Sequence, residues 1–226
     1  MDVNEILQLT SETLLVTVIS TLIAYLFGLP IGVLLNVTSK NGIKPNKTVN
    51  FIVGLIVNIL RSIPCLIIIV LTIPMSRSVF GKGTGAWYTI LVPLIICAFG
   101  FVARMVEQSL QEVPSGEVEA IKSLGASNWQ LIKKVLLPEA KVSLITGVAV
   151  SAVSILGYTS FAYNIGAGGL ISGIYTFYTR NTGNYLTEPY FWILIIITIA
   201  IVQIIQEAGL LVAKKIDKRK KIVKGE

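Results

Sequence analysis

The 226-residue chain contains no histidine and only two cysteines, Cys65 and Cys97. This excludes imidazole-based metal sites, imidazole general bases and cysteine-cluster metal sites. Both cysteines fall inside apolar runs, where they read as small buried apolar side chains. Charge is also scarce: 14% of residues are charged, against roughly 25% in an ordinary soluble domain. The shortage is concentrated in long stretches. Residues 13–39, 83–103 and 142–179 carry no charge, 49–75 carries only Arg61, and 189–213 carries only Glu207. No stretch is long and polar enough for a soluble domain. Internal repeats, low-complexity tracts and the Gly-x-x-x-x-Gly-Lys-Ser/Thr nucleotide loop are all missing.

What is present is apolar sequence, 54% of the chain. A helix crosses the hydrocarbon core of a bilayer in about 20 residues. It suits that solvent because it satisfies its own backbone hydrogen bonds. A membrane β-barrel would alternate in runs of about ten residues, and these runs are continuous. The expected fold is therefore an all-α membrane protein, a single domain over residues 1–226, with about five spans near 13–37, 49–74, 85–106, 140–163 and 189–213. Pro74 is expected to end the second span and Pro138 to open the fourth. Gly28, Pro30 and Gly32 can kink or thin the first. Residues 142–179 would measure ~57 Å as one helix, and Asn164-Ile-Gly-Ala-Gly-Gly-Leu170 weakens helix locally. One span, then an irregular segment with a short interfacial helix, is preferred over two spans.

The first run follows Asp2, Glu5 and Glu12 with no preceding Lys or Arg, unlike the basic start of a secretory signal, so it reads as a retained span. Basic loop residues set the orientation. Lys40, Lys44, Lys47, Arg104, Lys122, Lys133, Lys134, Lys141, Lys214, Lys215, Lys218, Arg219, Lys220, Lys221 and Lys224 fall on one side of a five-span layout, and Arg77, Lys82 and Arg180 on the other. This places the N-terminus outside and the C-terminus in the cytoplasm. It accounts for the net charge of +7 without nucleic acid, and a basic tail also suits anionic lipid.

The longest cytoplasmic loop, 107–138, is patterned for structure. Pro114-Ser115-Gly116 breaks the preceding helix. Ser115 can cap a new one, with Glu117 and Glu119 in its first turn, where the helix dipole favours carboxylates. Val118, Ile121 and Leu124 form an apolar edge, and Gly125 suits a left-handed helix end. Ser127 and Gln130 have capping-box spacing for a second short helix over about 128–136. Two short amphipathic helices on the membrane surface need a partner or the lipid interface to cover them.

This loop resembles the permeases of ATP-binding-cassette importers, whose cytoplasmic pattern is Glu-Ala-Ala-x-x-x-Gly, nine residues, then Ile-x-Leu-Pro. Here Glu119-Ala120-Ile121 precedes Gly125, and nine residues later comes Val135-Leu136-Leu137-Pro138. The spacings match, and Ile121 and Val135 are the departures. The resemblance implies an ATPase-coupling role for Glu117, Glu119, Ala120, Ser123, Leu124, Gly125, Ala126, Leu137 and Pro138. Arg61-Ser-Ile-Pro64, Ile73-Pro74, Gly85, Pro93, Phe101-Val-Ala-Arg104, Glu107 and Ile165-Gly-Ala-Gly-Gly-Leu170 are similar to the methionine-importer branch, over about 12–210. Gly157-Tyr158-Thr159-Ser160-Phe161 is bulkier than that branch suggests.

The resemblance implies the type I importer permease fold in the cytoplasmic membrane of a prokaryote. It also implies a homodimer, a separate dimeric ATPase that uses ATP and magnesium, and an extracytoplasmic substrate-binding protein or lipoprotein. The chain itself would bind no cofactor and make or break no covalent bond. Its cargo would be methionine, the L form alone or both L and D, or, as the alternative, another amino acid or small solute.

Polar groups at membrane depth normally face a cavity or the bundle interior. Asn58, Arg61 and Ser62, with Tyr158, Ser160 and Tyr163, are therefore candidates to line the path. A polar lock between helices, or a snorkelling arginine, is the other reading of Asn58 and Arg61. Glycines 166–169 suit close packing or a gate, Glu207 a solvated or subunit-facing position, and Trp129 a docking anchor. A stand-alone secondary transporter would show inverted repeats or paired membrane carboxylates, and neither is found. A membrane scaffold with no path is the remaining class, and Asn58 and Arg61 argue against it.

Overall fold

The computed structural model describes residues 2–180 and 183–217. All regular elements among them are helical. Helix α1 spans Val3–Thr38, α2 Lys47–Ser62, α3 Cys65–Phe80, α4 Leu91–Gln111, α5 Ser115–Ser123, α6 Asn128–Leu131, α7 Leu137–Glu139, α8 Lys141–Tyr158, α9 Leu170–Arg180 and α10 Pro189–Ile216. A π turn, Ile132–Leu136, joins α6 to α7, and 3-10 turns precede α4 and follow α8. Among the described residues, four stretches are long and apolar enough to cross a membrane: Val3–Thr38, Trp87–Gln111, Lys141–Ile165 and Pro189–Ile216. A fifth span exists if α2 and α3 are taken together.

Several expectations are corrected. The second span is not one helix over 49–74. It breaks after Ser62 with a bend of 102°, and α3 restarts after Pro64. Pro64 supplies no N–H, and it biases the residue before it away from helical geometry. Pro74 lies inside α3 and does not end it. Arg104 sits in the body of α4, not in a loop. Ser115 is the first residue of α5 with Pro114 at the cap, so only Glu117 lies in the first turn and Glu119 is beyond it. The fourth span opens at Lys141, with Pro138 in the separate turn α7. The 11-residue α9 is too short to span, as the preferred reading of 142–179 requires. Lys218, Arg219, Lys220, Lys221 and Lys224 lie outside the described residues.

The chain divides into two compact units. The first takes α1 up to Ala24, Ile63–Ala98 and Ser151–Gln206. Its core is Leu156, Leu170, Leu194 and Ile201, with Leu9, Ile174 and Phe177 packed against them. Within it Thr13, Thr17 and Thr21 each donate to the carbonyl four residues earlier. This satisfies their hydroxyls inside an apolar helix.

The second unit takes Tyr25–Ser62, Phe99–Val150 and the chain from Glu207. Its core is Leu35, Val57 and Ala103, with Ile31 and Val53 against them. Helix α1 meets α4 here through glycines. A Cβ on Gly28 would stand 2.6 Å from Val102 Cγ1, and one on Gly32 2.6 Å from both Val106 Cβ and the Ala103 carbonyl oxygen. Gly28 and Gly32 therefore let the helix backbones approach, while α1 runs unbroken through Pro30. Close approach of small residues is how helices associate where lipid removes the hydrophobic drive.

Gly32→Val is expected to destabilise the folded chain by about 1–3 kcal/mol, the usual cost of overpacking a tight core. Gly116→Ala, at a position with nothing within 4 Å, should cause no loss. Thermal unfolding in detergent checks both.

Candidate functional site

The loop that follows α4 meets its sequence spacing at Gly125 and at the Ser127–Gln130 capping box. Gly125 adopts φ +84, the left-handed region that an L side chain enters only with strain. Its N–H bonds the Lys122 carbonyl at 3.0 Å and closes the end of α5. Ser127 and Gln130 form a complete capping box: the Gln130 N–H donates to Ser127 Oγ at 3.3 Å and the Ser127 N–H to Gln130 Oε1 at 2.8 Å. No residue of α5 is buried. Leu124 is 83% exposed and Trp129 68%. Glu117, Glu119, Ala120 and Ser123 are exposed, and Ala126 is half-buried. Leu131, Val135 and Leu136 are buried and anchor the second half of the motif. Leu137 is half-buried and Pro138 exposed.

The π turn has a local cause. Pro138 cannot donate to the carbonyl four residues back, and the Leu137 N–H reaches five residues back, to Ile132. Lys122 Nζ donates to the Ile43 carbonyl at 3.3 Å, tying α5 to the α1–α2 loop. Beside this tie lies an open groove of about 710 Å³, with Lys40, Glu112 and Glu119 in its lining.

Of the six path candidates, three lie in the second unit. Asn58 bonds to α4 through its side chain. Its Oδ1 accepts from Arg104 Nη2 at 2.8 Å. The same nitrogen donates to the Gly54 carbonyl at 3.2 Å, and Nη1 pairs with Glu107 Oε2. Arg104 thus joins two turns of α2 to a carboxylate on its own helix, and Glu107 is 7% exposed. This is the polar-lock reading of Asn58. Arg61 is exposed in the last turn of α2, over Gly100, where a Cβ would stand 3.1 Å from Arg61 Cγ. Ser62 donates to the Asn58 carbonyl at 2.8 Å.

The other three lie in the first unit. Tyr158 and Ser160 are half-buried. Tyr163 stacks on Tyr175 with centroids 5.0 Å apart, and edge contacts continue from Tyr175 through Tyr178, Tyr185 and Phe191 to Trp192.

Two features lie outside the expected site. One is Arg104 with Glu107, whose three-residue spacing on one helix is the only local signal. The other is Glu12. Its Oε2 accepts the Gly169 N–H at 3.0 Å, and Thr13 Oγ1 accepts the Leu170 N–H at 2.8 Å. A carboxylate and a hydroxyl thereby cap the start of α9, which the helix dipole favours. Gly166, Gly168 and Gly169 all have positive φ, and a Cβ on Gly168 would stand 2.4 Å from Glu12 Oε2. The glycine run serves close packing around Glu12. Glu207, Gln203 and Gln206 are each exposed. Trp129 is exposed too, as a docking anchor would be.

Residues 28–218 match the family of binding-protein-dependent transport system inner membrane components. The match covers most of the chain, which belongs to this family: an all-helical, multi-pass permease subunit of the inner membrane, not an enzyme. Among its relatives is the "Probable D-methionine transport system permease protein MetI" of Haemophilus influenzae. It is 39% identical over 211 residues, which are 93% of this chain and 96% of the relative. The D-methionine transport system permease protein MetI of Escherichia coli K12 is 42% identical over 149 residues, 66% of this chain and 68% of the relative. A chain of the MetNI methionine ABC transporter, solved in inward-facing conformations, superposes with a TM-score of 0.89 at 34% identity. That match covers 96% of this chain and 98% of the other. A chain of an amino acid ABC transporter, 20% identical with a TM-score of 0.69, shares the fold.

Arg104→Met leaves the Glu107 carboxylate buried without its partner and is expected to cost about 3–5 kcal/mol. Adding Glu107→Leu should recover part of that loss. Asn58→Ala removes one acceptor of several and should cost no more than ~1.7 kcal/mol. Denaturant unfolding of the purified protein distinguishes these outcomes. Equal loss in the single and double Arg104 variants would contradict the pairing.

Proposed function

We propose that this chain forms the translocation path of an ATP-driven methionine importer, taking L-methionine and also D-methionine. The carrying observation is the near full-length match, at a TM-score of 0.89, to a chain of the MetNI methionine ABC transporter. Identity of 39% to a D-methionine permease relative over 93% of this chain adds to it. Two copies of the chain enclose the path. A separate dimeric ATPase supplies the energy from ATP and magnesium, and an extracytoplasmic substrate-binding protein delivers the cargo. The N-terminus is outside and the C-terminus cytoplasmic, in line with the basic residues of the loops.

The ATPase meets α5. A helix with no buried residue, carrying exposed Ile121 and Leu124 beside a glycine turn, is an unfilled surface that favours a groove in a partner. Glu117, Glu119, Ala120, Ser123, Leu124, Gly125 and Ala126 form that contact. Leu137 and Pro138 belong to its support, where buried Val135 and Leu136 root the π turn. On the path, Tyr158, Ser160 and Tyr163 are half-buried hydroxyl-bearing side chains, Tyr163 stacked on Tyr175, and Arg61 and Ser62 are exposed polar groups at the break in the second span. A zwitterion with a thioether asks for that mixture of polar points and apolar wall. Asn58 contributes by holding Arg104.

Labelled L-methionine uptake, in cells with and without the chain, tests the assignment. Uptake should be lost without it and competed by unlabelled L- and D-methionine. Unchanged methionine uptake in cells without the chain would assign another cargo. Combining Glu119→Ala with Gly125→Val should leave the chain in the membrane and the partner's basal ATP hydrolysis intact. Uptake should fall by ~tenfold, the effect of ~1.4 kcal/mol of lost docking. Unimpaired uptake in that variant would separate α5 from coupling.

A further inference from the structure

The two cysteines, which the sequence presents as unrelated apolar fillers 32 residues apart, meet in the first unit. Cys65 is the first residue of α3 and Cys97 lies on α4. Their Sγ atoms are 2.7 Å apart, and Cys97 Sγ also lies 3.9 Å from the Cys65 carbonyl oxygen. Both thiols are free. The separation is about 0.6 Å more than a sulfur–sulfur bond of ~2.05 Å.

The backbone holds the pair in place. Pro64, at φ −55 and ψ 137, fixes the approach to Cys65, and Ile68 and Ile69 one turn later are buried. Cys97 is 8% exposed and flanked by buried Leu94 and Ala98 on its own helix. Two groups pre-positioned on packed helices react at high effective concentration. A metal role is not supported, because no group of three or more His, Cys, Asp or Glu side chains able to hold an ion occurs among the described residues.

We propose that Cys65 and Cys97 are a reversible modification site that forms an intrachain disulfide. Two S–H bonds break and one S–S bond forms. The two protons and two electrons pass to a membrane quinone, which leaves as hydroquinone, and a dithiol reverses the step. The bond staples the start of α3 to α4 and closes the segment between them, including the 3-10 turn at Trp87–Ile90.

The test uses the full chain in its native membranes. Samples are treated with diamide or a soluble quinone, denatured with excess N-ethylmaleimide, digested and mapped by mass spectrometry, with and without dithiothreitol. The expected result is joint loss of alkylation at Cys65 and Cys97, a linked peptide pair lighter by two hydrogens, and full recovery with dithiothreitol. The protein should run as a single chain on a non-reducing gel. Isolation already in the linked form supports the proposal equally. Cys97→Ser should leave Cys65 alkylated after oxidation, and Cys65→Ser should do the same for Cys97. Persistent alkylation of both thiols in the unmutated chain, loss at one position alone, or a link between two chains would overturn it.

Discussion

A backbone placed in hydrocarbon has no water to bond, so every N–H and C=O must find its partner within the protein. The long helices follow from that, and so do the places where polar side chains are allowed. Thr13, Thr17 and Thr21 return their hydroxyl protons to the helix that carries them. Ser76 donates to the Thr89 carbonyl at the 3-10 turn, where helical bonding has lapsed. The start of α9 is a second lapse, and Glu12 and Thr13 accept the N–H groups left over there. At these two lapses the irregular backbone is tied to a specific polar side chain on another element.

The same solvent removes the usual reason for helices to stick together, since lipid tails are as apolar as leucine. Contact must come from close packing, which explains the value of Gly28 and Gly32 against Val102 and Val106, and of Gly209 against Ala149. It also separates two kinds of exposed apolar surface. In α10 only 11% of the apolar window is buried, and such a surface is at rest in lipid or against another copy. At the end of α5 the exposed Leu124 follows a helix whose Glu117, Glu119 and Lys122 are exposed too, a mixed surface suited to a protein partner at the membrane edge.

The parts legible in sequence are those whose causes are local. Gly125, Ser127 and Gln130 each act within four residues, so spacing alone placed the turn and the capping box. Runs of uncharged residues gave the spans for the same reason. What stayed hidden depends on pairing across the chain. Glu12 meets Gly169 over 157 positions, and nothing near either residue announces the other. Arg104 lies 46 positions from Asn58, and counted by charge alone it looked like a loop residue. The break at Pro64 was local, but the apolar run through it outweighed the proline in a reading based on hydropathy.

The Arg104–Glu107 pair is easily misjudged as a source of stability. Burying two charges costs much of what their attraction returns, and a well-packed apolar pair often does as well. Its contribution is better seen in geometry. One guanidinium engages Gly54 O and Asn58 Oδ1, four residues apart on α2, so α2 can neither rotate nor slide along α4 without losing a bond. A Cβ on Gly54 would stand 3.3 Å from Arg104 Nη2 and one on Gly100 3.3 Å from Leu60 Cβ, so both glycines keep α2 and α4 close. Glu107 then keeps the guanidinium from turning away. The network fixes the register of α2 up to Ser62, the last helical residue before the chain breaks at Pro64, and therefore fixes where Arg61 and Ser62 stand.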